Sequence, residues 1–240
     1  MQYKKDIYDN YVDIQSRRLY GKITAIGLEA DFPRLEYHYK KFLPKEKIAN
    51  ILDVGCGEGG FIYWLQTLGY LNLKGVDISL QQVEAARTLG LKNVFCEDLK
   101  ITLSQGAKYD LIIARDILEH FRKDEVVEIL DLSYNSLNPG GCLLLQVPNG
   151  MGLFYTEIFY GDFTHENAYT TSSLTQILSK AGFENVCCFP VSPAPLGVKS
   201  TIRRMLWSLY ISWVKTLKSL ETGNRDGIFT RNLICYTQKN

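Results

Sequence analysis

The stretch "ILDVGCGEGG", Ile51 to Gly60, decides how the chain is read. A short apolar run ends in an acid, and glycines follow at Gly55, Gly57 and Gly60 in the spacing G-x-G-x-x-G. Glycine lets a backbone come close to a ligand, and a helix beginning just after such a loop offers free N–H groups. Downstream, apolar runs alternate with amphipathic ones. "LKGVDIS", "NVFCEDL", "YDLIIARD", "CLLLQVPN", "ENVCCFPV" and "TRNLICYTQK" read as strands. "GFIYWLQTLG", "SLQQVEAARTLG", "KDEVVEILDLSYNSLNPGG" and "TSSLTQILSKAGF" read as helices. Ser79 is expected as an N-cap with Gln82 three residues later, and Pro139-Gly140-Gly141 as a helix stop. The strands are continuous apolar runs, as in sheets covered on both faces. The expected fold is α/β, a doubly wound Rossmann-like sheet in which ligands bind beyond the carboxyl ends of the strands.

Three acids follow successive strands: Asp53, Asp77 and Asp98. Asp77, at the end of the second strand, can accept hydrogen bonds from ribose hydroxyls. Asp98 can reach an adenine amino group. Asp53 would repel a pyrophosphate but suits a cationic amino-acid group. An adenosine carrying an amino acid and a sulfonium, without phosphate, satisfies all three, so S-adenosylmethionine fits better than a nicotinamide dinucleotide; each acid taken alone reads equally well as a turn or cap residue.

"ILDVGCGEGG", "GVDIS", "CEDL", "YDLIIARDILEH" and "LNPGGCLLLQVPN" together resemble the class I S-adenosylmethionine-dependent methyltransferases, in order from about Ile51 to Asn149. The resemblance implies that Asp53, Gly55, Cys56 and Gly57 line the methionine end and that Asp77 holds the ribose. It implies Ile78 against the adenine, Asp98 and Leu99 at its amino edge, and the backbone of Arg115 near the methionine. It also implies a seven-stranded, mostly parallel sheet with an antiparallel last strand, and S-adenosyl-L-homocysteine as the product.

"RDILEHF" (115–121) follows the fourth strand and holds Asp116, Glu119 and His120, which would share one face of a helix. His165 lies in "DFTHENAYTTSSL" after the fifth strand, at the same sheet edge. Three readings stand. The acids favour a helix macrodipole; or a histidine is the general base for an acceptor hydroxyl; or the four residues hold a divalent metal. The segment looks like that of metal-using O-methyltransferases of quinone synthesis and of small-RNA 3′ ends, which carry Glu at the position of Asp116. "D-x-T-H" with "AGF", "ETGNRDGIF" and the Tyr-rich start is similar to methyltransferases of surface-polysaccharide gene clusters. The acceptor this implies is a small molecule, a sugar, sugar phosphate or capsule precursor. A cofactor-binding module without turnover is the non-enzymatic alternative.

The flanks and composition set the remaining expectations. Residues 1–49 read as a helical cap over the acceptor, with Tyr8, Tyr11, Arg17, Arg18 and Tyr20 able to touch it, and 50–240 as the main domain. About 198–221 reads as an inserted amphipathic helix, packed on the sheet, the cap or a second subunit of a homodimer, or lying on a membrane surface. A net charge of +1 argues against nucleic acid, and six cysteines without C-x-x-C spacing argue for a reducing cytoplasm and against zinc.

Overall fold

A computed structural model describes residues 2–13 and 24–240. Arg17, Arg18 and Tyr20 lie outside the described residues. The chain begins with α1 (Gln2–Asp9) and α2 (Ala25–Tyr39), which runs into a 3₁₀ turn at Lys40–Phe42. Then come β1 (Asn50–Val54), α3 (Gly60–Thr67), β2 (Asn72–Asp77), α4 (Leu80–Thr88), β3 (Val94–Cys96), α5 (Leu99–Ser104) and β4 (Tyr109–Arg115). A 3₁₀ turn at Leu118–His120 precedes α6 (Lys123–Ser136), β5 (Leu137–Pro148), α7 (Tyr155–Phe159), α8 (Thr171–Lys180), β6 (Glu184–Pro190), α9 (Val198–Thr222) and β7 (Asn232–Gln238).

The sheet has seven strands in the order β3-β2-β1-β4-β5-β7-β6. The pairs β1–β2, β1–β4, β2–β3 and β4–β5 are parallel, and β7 runs antiparallel to both β5 and β6. Side-chain alternation along each strand explains the two covered faces. Leu52, Val54, Ile112, Ala114, Leu143 and Leu145 enter one core, beneath Val126, Ile129 and Leu130 of α6. Their neighbours Ile51, Leu111, Ile113 and Leu144 enter the other, beneath Phe61, Ile62 and Trp64 of α3. A strand buried on both sides cannot afford a polar alternate, and so reads as a continuous apolar run. Strand order reverses between β1 and β4, opening a crevice at their carboxyl ends.

Two boundaries differ from the sequence expectation. α6 stops at Ser136, and Pro139-Gly140-Gly141 lies inside β5, where Leu137 already pairs with Tyr109. The ring of Pro139 disfavours helical backbone at Asn138, so the chain extends before the proline rather than after it. The expected cap is two different things. Leu35 and Tyr39 of α2, with Phe42, belong to the core under α3, whereas α1 lies over the strand ends.

Candidate active site

The loop after β1 turns through Gly55, Gly57 and Gly59, all at positive φ. The amides of Gly55 and Cys56 both donate to the Val76 carbonyl, at 2.8 and 3.0 Å. At Gly55 (φ 68°) an added Cβ would stand 2.3 Å from Ile117 Cδ1, so both the conformation and the space require glycine. Asp77 closes the loop: Oδ2 accepts from the Gly57 amide and Oδ1 from the Ser79 amide, each at 2.8 Å. A carboxylate has about four acceptor sites, so both oxygens retain capacity for ribose hydroxyls. Ile78 is 57% exposed, an apolar platform beside that carboxylate. Ser79 Oγ is buried with no partner. A cavity of about 450 Å³ opens here. Gly55, Gly57, Asp77, Ile78, Asp98 and Leu99 form one side of it. A close-approach glycine loop, an anchored carboxylate, an apolar platform and an orphaned hydroxyl are what an adenosine-bearing cofactor needs.

Across the cavity stand Asp116 and His120, with Lys4, Tyr8 and Tyr11 from the N-terminal segment and Phe121. Asp116 adopts φ 53°, and the 3₁₀ turn follows. The sequence placed Asp116, Glu119 and His120 on one helical face; the chain instead bends at Asp116, so that Asp116 and His120 line the cavity while Glu119 turns inward beside His120. Asp116 meets the cavity, held by Gln146 Nε2 at 2.6 Å and Asn232 Nδ2 at 3.3 Å. Glu119 turns inward and is 1% exposed, and its backbone carbonyl accepts from the amides of Glu166 (2.6 Å) and Asn167 (3.2 Å). Those bonds stitch the two loops together. The rings of His120 and His165 come to 4.6 Å between centroids.

His120 Nδ1 lies 2.8 Å from Thr164 Oγ1, and Thr164 Oγ1 donates to Asp162 Oδ1 at 2.6 Å. Thr164 has a single hydroxyl proton, already given to Asp162, so His120 Nδ1 is the donor and its Nε2 carries the free lone pair. Tyr11 donates to the other Asp162 oxygen at 2.9 Å. Burial, and then the neighbouring His165, push the His120 imidazole down to about 4. It is neutral at pH 7. Burial pushes the Glu119 carboxyl well above the usual range, and the Asp116 charge adds to this. Both Glu119 carboxylate oxygens and His165 Nδ1 are buried without hydrogen-bond partners. One ligand atom each from Glu119, His120 and His165 lies within 4.8 Å of the others.

A family model described as a methyltransferase domain matches residues 29–188, two thirds of the chain. The chain belongs to the class I S-adenosylmethionine-dependent methyltransferases. Its similarity to a tRNA U34 carboxymethyltransferase of Hydrogenovibrio crunogenus is 27% identity over 66% of this chain and 51% of that protein. With a trans-aconitate 2-methyltransferase of Rhizobium leguminosarum bv. trifolii it is 27% over 46% of this chain and 43% of that protein. The chain spans about half the length of the curated relatives it matches. Among solved structures, a SAM-dependent methyltransferase from Archaeoglobus fulgidus superimposes with a TM-score of 0.65 at 20% identity, covering 88% of this chain and 94% of that one.

Asp53 and Cys56, expected at the methionine end of this methyltransferase, do not present their side chains to the cavity, and Arg115, expected there through its backbone, keeps its guanidinium elsewhere. Asp53 is 2% exposed within β1, and burial pushes its carboxyl up to about 7 against the pull of Arg115. The Arg115 guanidinium sits 5.0 Å from the Tyr39 ring centroid and 4.7 Å from that of Phe61. Cys56 packs in the core against Gly75, leaving only its backbone to the loop. Asp98 lines the cavity but also caps α5, with Oδ1 accepting from the Lys100 amide at 2.7 Å. Ser79 stands at the N-cap of α4 but makes no side-chain capping bond; Ser79 and Gln82 line the cavity instead. Of the four residues in the metal reading, Glu119, His120 and His165 bring ligand atoms together, whereas Asp116 is hydrogen-bonded to Gln146 and Asn232. Asp162 and Thr164 were missed as site residues. Their signal was the D-x-T spacing before His165, which lets an Asp oxygen accept both the Thr amide and its hydroxyl.

Proposed function

We propose that this methyltransferase transfers a methyl group to a hydroxyl of a small polar acceptor, a sugar, sugar phosphate or related capsule precursor, with His120 as general base. The observation that carries this reading is the Asp162–Thr164–His120 chain, which fixes the tautomer and aims a neutral imidazole at a cavity whose opposite wall suits adenosine. Bound S-adenosylmethionine supplies an electrophilic methyl on a sulfonium. Asp77 and the Gly55–Gly57 backbone hold the nucleoside, with Ile78 against the base. His120 Nε2 takes the acceptor proton as the oxygen attacks, and Thr164 and Asp162 stabilise the resulting imidazolium. His165 acts through His120 as a positioning residue. The acceptor lid is supplied by the first described segment: Lys4, Tyr8 and Tyr11 line the cavity, and rings beside a cation suit a sugar bearing a phosphate.

Replacing His120 with Ala should lower turnover by about 10²–10⁴-fold while S-adenosylhomocysteine affinity, measured by calorimetry, stays within about twofold. Equal loss of both would overturn the assignment. The acceptor is identified by mass spectrometry of products from a panel of nucleotide sugars and sugar phosphates.

A second reading is favoured by the unpartnered Glu119 carboxylate and His165 Nδ1. Glu119, His120 and His165 would hold a first-row divalent cation, which would acidify a bound acceptor hydroxyl. Full activity after exhaustive chelation, in protein shown metal-free by elemental analysis, excludes it.

A further inference from the structure

α9 is 25 residues long, and none of them is buried. Its inner side rests lightly on the body. Trp207, Ile211 and Lys215 cover a shallow hollow bordered by Pro190 and Phe229, and Arg204 donates to the Pro193 carbonyl at 3.1 Å. The outer side carries Ile202, Met205, Leu206, Leu209, Trp213, Leu217 and Leu220, from 45% to 80% exposed. At the helical repeat these seven fall within a sector of about 120°. The sequence expectation that this stripe packs on the sheet or the cap is therefore not met: the helix docks by its opposite side.

Charge decides what covers the stripe. α9 holds five bases, Lys199, Arg203, Arg204, Lys215 and Lys218, against one acid, Glu221; Arg204, Lys215 and Lys218 turn toward the body, and Lys199 and Arg203 stand beside the stripe. The whole chain has 27 bases and 26 acids, so the helix stands at +4 and the remaining residues at −3, with 22 bases and 25 acids. A second copy of α9 would bring a helix of the same sign. An anionic surface is complementary. Trp213 lies in the stripe with Tyr210 beside it at a centroid distance of 6.3 Å, and both rings are exposed. Such rings prefer the boundary between apolar and wet surroundings. No helix among the described residues is long and apolar enough to cross a membrane.

We infer that α9 is an interfacial anchor that lays its outer stripe in the headgroup region of an anionic bilayer. Lys199 and Arg203 flank the stripe and reach the phosphates along their aliphatic stems. This does not rest on the proposed chemistry, because the helix contributes no residue lining the reaction cavity.

The test is flotation of the full chain with vesicles of phosphatidylcholine alone or with phosphatidylglycerol. Binding to the anionic vesicles, weakened by salt and accompanied by a blue shift of tryptophan emission, is expected. Little binding to the neutral vesicles is expected. L206E and L209E should each lower partitioning at least about tenfold, the loss that follows from removing a buried Leu contact. The paired variant K199E/R203E should lower it while flattening the salt dependence. Circular dichroism and S-adenosylhomocysteine calorimetry confirm that each variant is folded, whatever its activity. No binding of folded wild-type protein to anionic vesicles overturns the proposal. So does a dimer in sedimentation velocity that L209E dissolves, since a second copy would then cover the stripe.

Discussion

The proposed role of His120 as base depends on what its other nitrogen does. Thr164 takes the Nδ1 proton's hydrogen bond and passes its own to Asp162, so Nε2 is left with the lone pair. Thr164→Val breaks that chain without emptying the space. Turnover should fall by about 10–100-fold, from the loss of a charge-assisted hydrogen bond of some 1.5–3 kcal/mol, with S-adenosylhomocysteine affinity unchanged in calorimetry. The depressed imidazole also sets the acid limb of the rate profile. A base must be unprotonated to act, and burial holds His120 down to about 4, so kcat/KM should stay level well below pH 6.5 and fall only as pH approaches 4. A limb centred at the ordinary imidazole value would show that another group takes the proton. Gly55 makes the complementary case on the cofactor side. Gly55→Ala combines a positive φ with a contact at 2.3 Å, and strain of about 1–3 kcal/mol should appear as weakened cofactor binding and a lowered melting temperature.

At the scale of elements, strand ends and loops divide the work. β1, β2 and β4 bring Gly55, Asp77 and Asp116 to one edge, and the backbone of Glu119 ties the β4 loop to the loop after α7 through the amides of Glu166 and Asn167. α1 closes the far wall: Lys4 Nζ reaches the His120 carbonyl at 2.6 Å and the Glu166 carboxylate at 2.8 Å. Combining Lys4→Ala with Tyr11→Phe should release α1, raising KM for the acceptor several-fold while leaving cofactor affinity nearly intact; steady-state kinetics beside calorimetry separates the two. β1 carries its own pH-dependent element. Burial raises the Asp53 carboxyl to about 7, above its unfolded value of 3.8, so the folded state holds a proton there that the unfolded chain releases between those values. This stabilising contribution is present at low pH and is lost as pH rises through about 7. Asp53→Asn should therefore gain stability relative to the wild type between pH 5 and pH 8, read as the difference in urea midpoints.

For the whole molecule, the alternation of apolar runs with amphipathic helices determined the doubly wound sheet. Burial on both faces leaves a repeated imprint in composition that needs no knowledge of partners. The glycine loop, Asp77 and Ile78 were legible for the same reason: each follows its own strand, and the fold places strand ends together. The histidine pair was legible only as two loops at one edge. That Asp116 and Glu119 part company depends on a left-handed residue, and helical spacing could not reveal it. Asp53, Cys56 and Arg115 carry motif positions, yet tertiary packing gives their side chains to the core and to the rings of Tyr39 and Phe61. α9 shows the division most plainly. Its apolar stripe and its basic residues are written in the sequence, which determined that the helix is amphipathic. Which side meets the protein is a property of the docked structure alone, because a stripe has the same period whether it faces a sheet or the solvent.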